Sequence, residues 1–289
     1  MRTLLIFIGL IALGFAAMAL LSYPAWQLLH PHFDFAFHRI ASRIGMLVLL
    51  LGMILAARPL GLRRRADFGY SGSARAFMGA VGRAFVLGVA TMLPVVALMW
   101  WLDLRTFRDL DWHAASLLDL ALSAALTGFA VALLEETLLR GALFTAMQRD
   151  SGTRFAIVAT ALLYAAAHFI GRVRIPADAV DAGSGIDVIS GSLAAFASPL
   201  AIVDAFLALT ALGLLLAWIR HLTGNIAACI GLHAGWVFIN TAWRSASDVN
   251  PGANGAWLLS QHDGVVGYLV LGSTAVIAWL LTLIYRRAS

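Results

Sequence analysis

The 289-residue chain has no lysine and only two glutamates, Glu135 and Glu136, which are adjacent. Its one cysteine, Cys229, excludes an internal disulfide and any multi-cysteine zinc or iron–sulfur centre. Charged residues make up 12% of the chain against 61% hydrophobic ones, whereas a soluble domain carries roughly 25% charged residues. That shortage excludes an ordinary water-soluble coat. The 20 cations are all arginine and leave a net charge of +5. They form no basic stripe with interleaved aromatics, so no nucleic-acid partner is expected. They gather instead at the ends of apolar runs, where membrane proteins encode their orientation.

What is present is a series of long apolar runs. A helix needs about 20 apolar residues to cross the hydrocarbon core, and eight runs approach that length: about 3–23, 38–57, 76–102, 114–148, 154–171, 198–219, 224–243 and 264–285. The expected fold is all-α, a polytopic membrane helix bundle of about eight transmembrane helices. Residues 1–289 are expected to form a single integral membrane domain, with no internal repeat. The first run resembles a signal peptide in its Arg2 and its small residues Ala17 and Ala19, but its apolar stretch exceeds a usual signal core. It is read as a retained span. The fourth run is too long for a plain crossing. The polar segment 172–197 is expected as a loop, either a functional lid or disordered.

Alternating the eight runs puts eleven arginines on one face (2, 58, 63, 64, 65, 75, 149, 154, 220, 286, 287), opposed only by Asp67 and Asp150. The other face carries nine aspartates (34, 103, 109, 111, 178, 181, 187, 248, 263) against seven arginines (39, 43, 105, 108, 172, 174, 244). By the positive-inside rule both termini face the cytoplasm. The expected location is an integral membrane position, in a bacterial inner membrane.

Ionisable groups within a span cost about 2.5–3.5 kcal/mol each on insertion scales and face cavities or partners. Here they are Asp119, Glu135, Glu136, Arg140, His168, Asp204 and His233. Glu135 and Glu136 point about 100° apart on a helix and cannot share one role. Arg140 stands four residues after Glu136, the favourable spacing for an ion pair. Glu135, His168 and His233 each lie 13 or 14 residues from a cytoplasmic arginine (149, 154 and 220). At 1.5 Å per residue that is about 20 Å from one membrane face for all three. A carboxylate and two imidazoles at one depth are expected to form a site. Gly231 and Gly235 give the His233 helix a small-residue face for close packing.

These residues resemble the CPBP intramembrane proteases, the Abi or CAAX-protease group, which includes type II CAAX prenyl endopeptidases and bacterial bacteriocin-processing or immunity proteins. The first motif reads Glu135-Glu136-Thr-Leu-Leu-Arg140. The second reads Tyr164-Ala-Ala-Ala-His168, with Tyr where Phe is usual. The third begins at His233, but its fourth following residue is Val237 rather than Asn or another polar residue; Asn240, one turn further, is the candidate substitute. The motif-bearing core covers about 114–243.

The resemblance implies hydrolysis of a peptide bond in a membrane-bound protein or peptide. Glu135 is expected as the base that activates water, with His168 and His233 positioning the water or donating to the oxyanion. Glu136, Arg140, Tyr164 and Asn240 are the supporting residues. No cofactor is required by this reading. The rival zinc version would use Glu135, His168 and His233 as ligands with Glu136 as base. Two other classes stay open: a proton-coupled carrier using Asp119, Glu135, Asp204 and the histidines, and an inactive membrane scaffold or immunity factor. Cys229 is read as a packing residue.

Overall fold

The computed structural model describes residues 2–33, 35–109, 113–170 and 173–287. Asp34, Asp111 and Arg172, counted in the charge tally, lie outside the described residues. The described residues are mostly helical, and the chain groups into two compact units, Met1–Arg63 with Ala165–Ile202, and Arg64–Tyr164 with Val203–Ser289.

In the first unit, α1 (Arg2–Leu29) and α2 (Phe37–Ala57) pack along one another. Gly45 lies at their contact, where a Cβ would meet Met18 Sδ at 2.7 Å. The segment expected as a loop contains a helix, α7 (Ser184–Ala197), seated on α1. Gly185 lets it sit so close that a Cβ there would lie 2.6 Å from Met18 O. Met18, Phe37, Ala41 and Val188 form the buried centre. The second half of the expected loop is therefore helix, Ser184–Ala197. The helix forms in spite of its polar residues because Gly185 and Val188 give it a face that packs on α1.

The second unit contains α3 (Ala74–Trp101), α4 (Ala114–Glu136), a π-helical stretch Thr137–Leu143, α5 (Phe144–Ser151), α6 (Thr153–Ala167, whose last turn passes into the first unit), α8 (Val203–Thr223), α9 (Ala227–Ala246) and α10 (Tyr268–Arg287). Ser73 caps α3 by accepting from Ala76 N at 3.2 Å, and Asn225 accepts from Ala227 N at 2.9 Å at the head of α9. Gly152 and Gly224, with φ of 85° and 67°, end α5 and α8.

Helix α9 is the axis of this unit, enclosed chiefly by α3 and α4. A Cβ on Gly235 would lie 2.6 Å from Phe85 O, and one on Gly128 would lie 2.6 Å from Ala234 O. Glycine is thus required on both sides of α9, and Gly231 and Gly235 serve the packing role expected of them. Met92, Met99, Leu216, Cys229, Leu232 and Trp236 belong to the adjoining core. Two short strands, β1 (Arg105–Phe107) and β2 (Ser247–Val249), pair antiparallel beyond the ends of α3 and α9. Arg105, 4% exposed, fastens them by donating to Ser247 Oγ, Ser247 O and Gly264 O.

Five helices among the described residues are long and apolar enough to span a bilayer: Arg2–Leu29, Phe37–Ala57, Ala74–Trp101, Ala114–Ser151 and Val203–Thr223. Thr153–Ala167 and Tyr268–Leu281 are apolar but shorter. The expected count of eight is not reached. Helix α9 fails by composition, since His233, Asn240 and Arg244 interrupt its apolar run, and it is also the most enclosed of the helices. The overlong fourth run is a 38-residue helix, Ala114–Ser151, that contains the π-helical stretch. Leu118, Leu122, Leu126, Phe129 and Leu133 stand exposed along α4, as a lipid-facing surface requires.

Candidate active site

The paired carboxylates close α4, and the π-helical stretch begins immediately after them. A π-turn widens the helix and is frequent at functional sites. Here it lies against a strap formed by residues 64–70. Tyr70 OH donates to Thr137 Oγ1 at 2.5 Å, because the Thr137 hydroxyl itself donates to Leu133 O. Asp67 pairs with Arg149, and Gly69 O accepts from Ile226 N at 3.0 Å.

Glu136 and Arg140 are completely buried and paired, with Arg140 Nη1 3.0 Å from Glu136 Oε1. The same carboxylate oxygen lies 2.8 Å from His233 Nδ1. Arg140 Nη2 donates to Gly213 O at 3.2 Å, and its guanidinium lies 4.6 Å from the centre of the Tyr164 ring. Tyr164 in turn meets the His233 imidazole edge to face, with ring centres 5.8 Å apart. One carboxylate, one guanidinium, one phenol ring and one imidazole thus brace each other in a closed cycle.

Glu135 stands outside this cycle. Its side chain is 34% exposed, and its Oε2 lies 4.0 Å from His233 Nε2, beyond hydrogen-bond reach. That Oε2 is nevertheless buried and has no hydrogen-bond partner among the described residues. Glu136 Oε2 and Arg140 Nε share that condition. His233 thus presents Nδ1 to the buried carboxylate of Glu136 and its other ring nitrogen, Nε2, towards Glu135.

Of the residues the sequence marks, the structure brings together Glu135, Glu136, Arg140, Tyr164 and His233. His168 follows the last turn of α6, with its N–H on Ala165 O at 3.2 Å, and belongs to the first unit. Asn240 is partly buried on α9, and its Oδ1 has no hydrogen-bond partner among the described residues. It lies about 10 Å along the axis from His233 at 1.5 Å per residue. Asp119 is exposed on α4, whereas Asp204 is buried in the first turn of α8. Cys229 is buried with its thiol directed to Leu216 O, a packing position.

Sequence reasoning missed the hydroxyls of Tyr70 and Thr137, the Gly213 carbonyl and Arg220. The first three carry no signal, because each acts through a contact remote in sequence. Arg220, counted above as a loop charge, is 7% exposed and donates from Nε to Arg140 O at 3.0 Å. Among the described residues no group of three or more His, Cys, Asp or Glu stands in geometry able to hold a metal ion.

Residues 117–239, from the second turn of α4 into α9, match the family model of the type II CAAX prenyl endopeptidases, Rce1-like. This is the protease group that the three motifs resemble. No curated protein and no solved structure matches the chain.

Proposed function

We propose that the protein is an intramembrane endopeptidase that hydrolyses a peptide bond of a membrane-associated protein or peptide with water activated by Glu135. The observation that carries this reading is the facing pair Glu135 Oε2 and His233 Nε2, 4.0 Å apart. Two acceptors at that separation suit the two hydrogens of one water. A water oxygen about 2.8 Å from each would subtend an angle of about 90° between them, close to its own bond angle. The lone pairs of that water then point away from both acceptors, towards an incoming carbonyl carbon.

Glu135 removes one proton as the water oxygen attacks, and the carbonyl becomes a tetrahedral oxyanion. Collapse breaks the C–N bond, and the proton held on Glu135 passes to the departing amine. His233 retains its Nδ1 hydrogen on Glu136 throughout and keeps Nε2 available to hold the water. Arg140 holds Glu136 Oε1 against His233 Nδ1, which fixes the imidazole tautomer. On motif spacing alone, His168 is kept as a group that positions the water or donates to the oxyanion, and Asn240 as the substitute for the third motif's missing polar residue. Partial exposure of Glu135 next to Leu133 and Leu134, both exposed and apolar, suits a substrate delivered within the lipid.

The substrate is proposed as a membrane-anchored chain, with prenylation one option, and the setting as a bacterial inner membrane with cytoplasmic termini. The test is cleavage of a prenylated C-terminal peptide and a non-prenylated membrane peptide by the purified chain in liposomes. Wild type should release a product that a folded Glu135→Gln variant does not. Equal cleavage by both proteins would end the glutamate mechanism.

A further inference from the structure

Arg220 ends an apolar helix, where a cation ordinarily reaches for headgroups or water. It does neither. Its side chain is buried, and among the described residues no carboxylate pairs with it. Nε donates to Arg140 O at 3.0 Å, Nη2 reaches Thr145 Oγ1 at 3.4 Å, and the guanidinium lies 5.7 Å from the Phe144 ring centre. Burying a cation to satisfy a main-chain carbonyl is costly unless that carbonyl needs a donor.

The π-helical turn creates the need. In an α-helix Arg140 O would accept from Phe144 N, but Phe144 N is directed to Leu139 O and Gly141 O instead. Arg220 supplies a charged donor to the carbonyl so displaced. Gly213 and Arg220 are seven residues apart and share one face of α8. Arg140 is consequently held at both ends by a single helix: its main chain by Arg220, its guanidinium by Gly213 O.

We propose that Arg220 is a positioning residue, which fixes the π-turn through the Arg140 carbonyl and so sets the Glu136–Arg140 pair that holds His233. It touches no reacting group. Its effect on turnover rests on the endopeptidase reading, whereas its effect on the His233 imidazole does not.

The experiment uses the full chain in detergent or liposomes with 15N-labelled histidine, the His233 signal being the one lost in His233→Asn. Wild type should show a single hydrogen-bonded Nδ1–H tautomer. Arg220→Gln should replace it by a mixture and lower kcat on the peptide probes by about 10²-fold, with KM unchanged, as expected for misplacement of about 1 Å. Arg220→Lys, which keeps one cationic donor, should recover part of both. Thr145→Val should resemble wild type. Should Arg220→Gln fail to fold, Arg220→Lys carries the same readout. A His233 spectrum unchanged in the folded Arg220 variants would overturn the proposal. Absence of peptide cleavage by wild type would count against the endopeptidase reading and leave the spectrum to decide Arg220.

Discussion

His233 is held by Glu136 and faces Glu135: one ring nitrogen lies 2.8 Å from the buried carboxylate, the other 4.0 Å from the accessible one. The adjacent glutamates have therefore been divided by their environments, one fixed in a buried ion pair and the other partly exposed and outside that pair. The 100° turn between neighbouring helical residues produces the division. If Glu135 and His233 grip one water, their removal should not be additive. Glu135→Gln and His233→Ala should each lower single-turnover hydrolysis by about 10²–10⁴-fold. The double variant should lose little more than the worse single one. Multiplicative losses would mean that the two side chains act on different groups.

The Glu136–Arg140 pair supports the site at a cost in stability. Glu136→Gln leaves the Arg140 cation buried without its partner, and breaking such a pair costs about 3–5 kcal/mol. His233 Nδ1 also loses a charged acceptor. Replacing both partners by apolar residues, as in Glu136→Leu with Arg140→Met, should recover much of the stability lost by Glu136→Gln but none of the hydrolysis. Thermal unfolding in detergent beside a cleavage assay checks both halves.

Much of this was legible in the sequence for a specific reason. Glu136 and Arg140 are four residues apart on one helix, and spacing alone predicts their contact. Depth counting also brought Glu135 and His233 to one level, although the count from Arg149 crosses the π-helical stretch and the count from Arg220 crosses the turn at Gly224. The π-turn was not legible: nothing in Thr-Leu-Leu-Arg-Gly-Ala-Leu distinguishes a 4.4-residue turn from a 3.6-residue one until Arg220 and the 64–70 strap are docked against it. Arg105 and Arg220 were misread for the same reason. Charge patterning assumes that an arginine at a span end is solvated, and both are instead consumed by main-chain carbonyls. Helix α9 has the length of a span, but His233, Asn240 and Arg244 lower its apolar character, which its enclosure by α3 and α4 accommodates.

The reading without metal makes a separate prediction. Purified chain washed with a strong chelator should retain its hydrolysis of the peptide probes, and elemental analysis should find well under one zinc per chain. One tightly held zinc, lost together with activity and restored with it, would instead assign Glu135 and His233 as ligands.

Close helix approach at Gly235 should be intolerant of a single methyl group. A Cβ there would press on Phe85 O at 2.6 Å and Val89 N at 2.9 Å, both main-chain atoms that cannot rotate away. Gly235→Ala should cost about 1–3 kcal/mol, the usual range for overpacking. Gly272→Ala on α10, where a Cβ would meet nothing within 4 Å, should instead stabilise by up to about 1 kcal/mol through helix propensity. Equal effects at the two positions would contradict the packing of α9 against α3.

The β1–β2 ribbon should weaken in acid for a reason distinct from the membrane helices. Asp248 is clasped by Arg108, whose Nη2 lies 2.5 Å from its Oδ1. The hydrogen bond from that guanidinium holds the Asp248 carboxyl below its ordinary value. A carboxyl depressed in the folded chain adds stability that is fully present above the unfolded value, about 3.9. That contribution disappears as pH falls through the lower folded value. The ribbon amides of Arg108 and Asn250, which donate to Ala246 O and Leu104 O, should therefore keep their exchange protection from neutral pH to about 5 and lose part of it below about 4. Asp248→Asn should show the weaker protection at every pH. Both partners are exposed, so added salt should shrink the difference at neutral pH. Protection equally strong at pH 3 and pH 6 in the wild-type chain would show that Arg105, with its three carbonyl and hydroxyl acceptors, carries the ribbon alone.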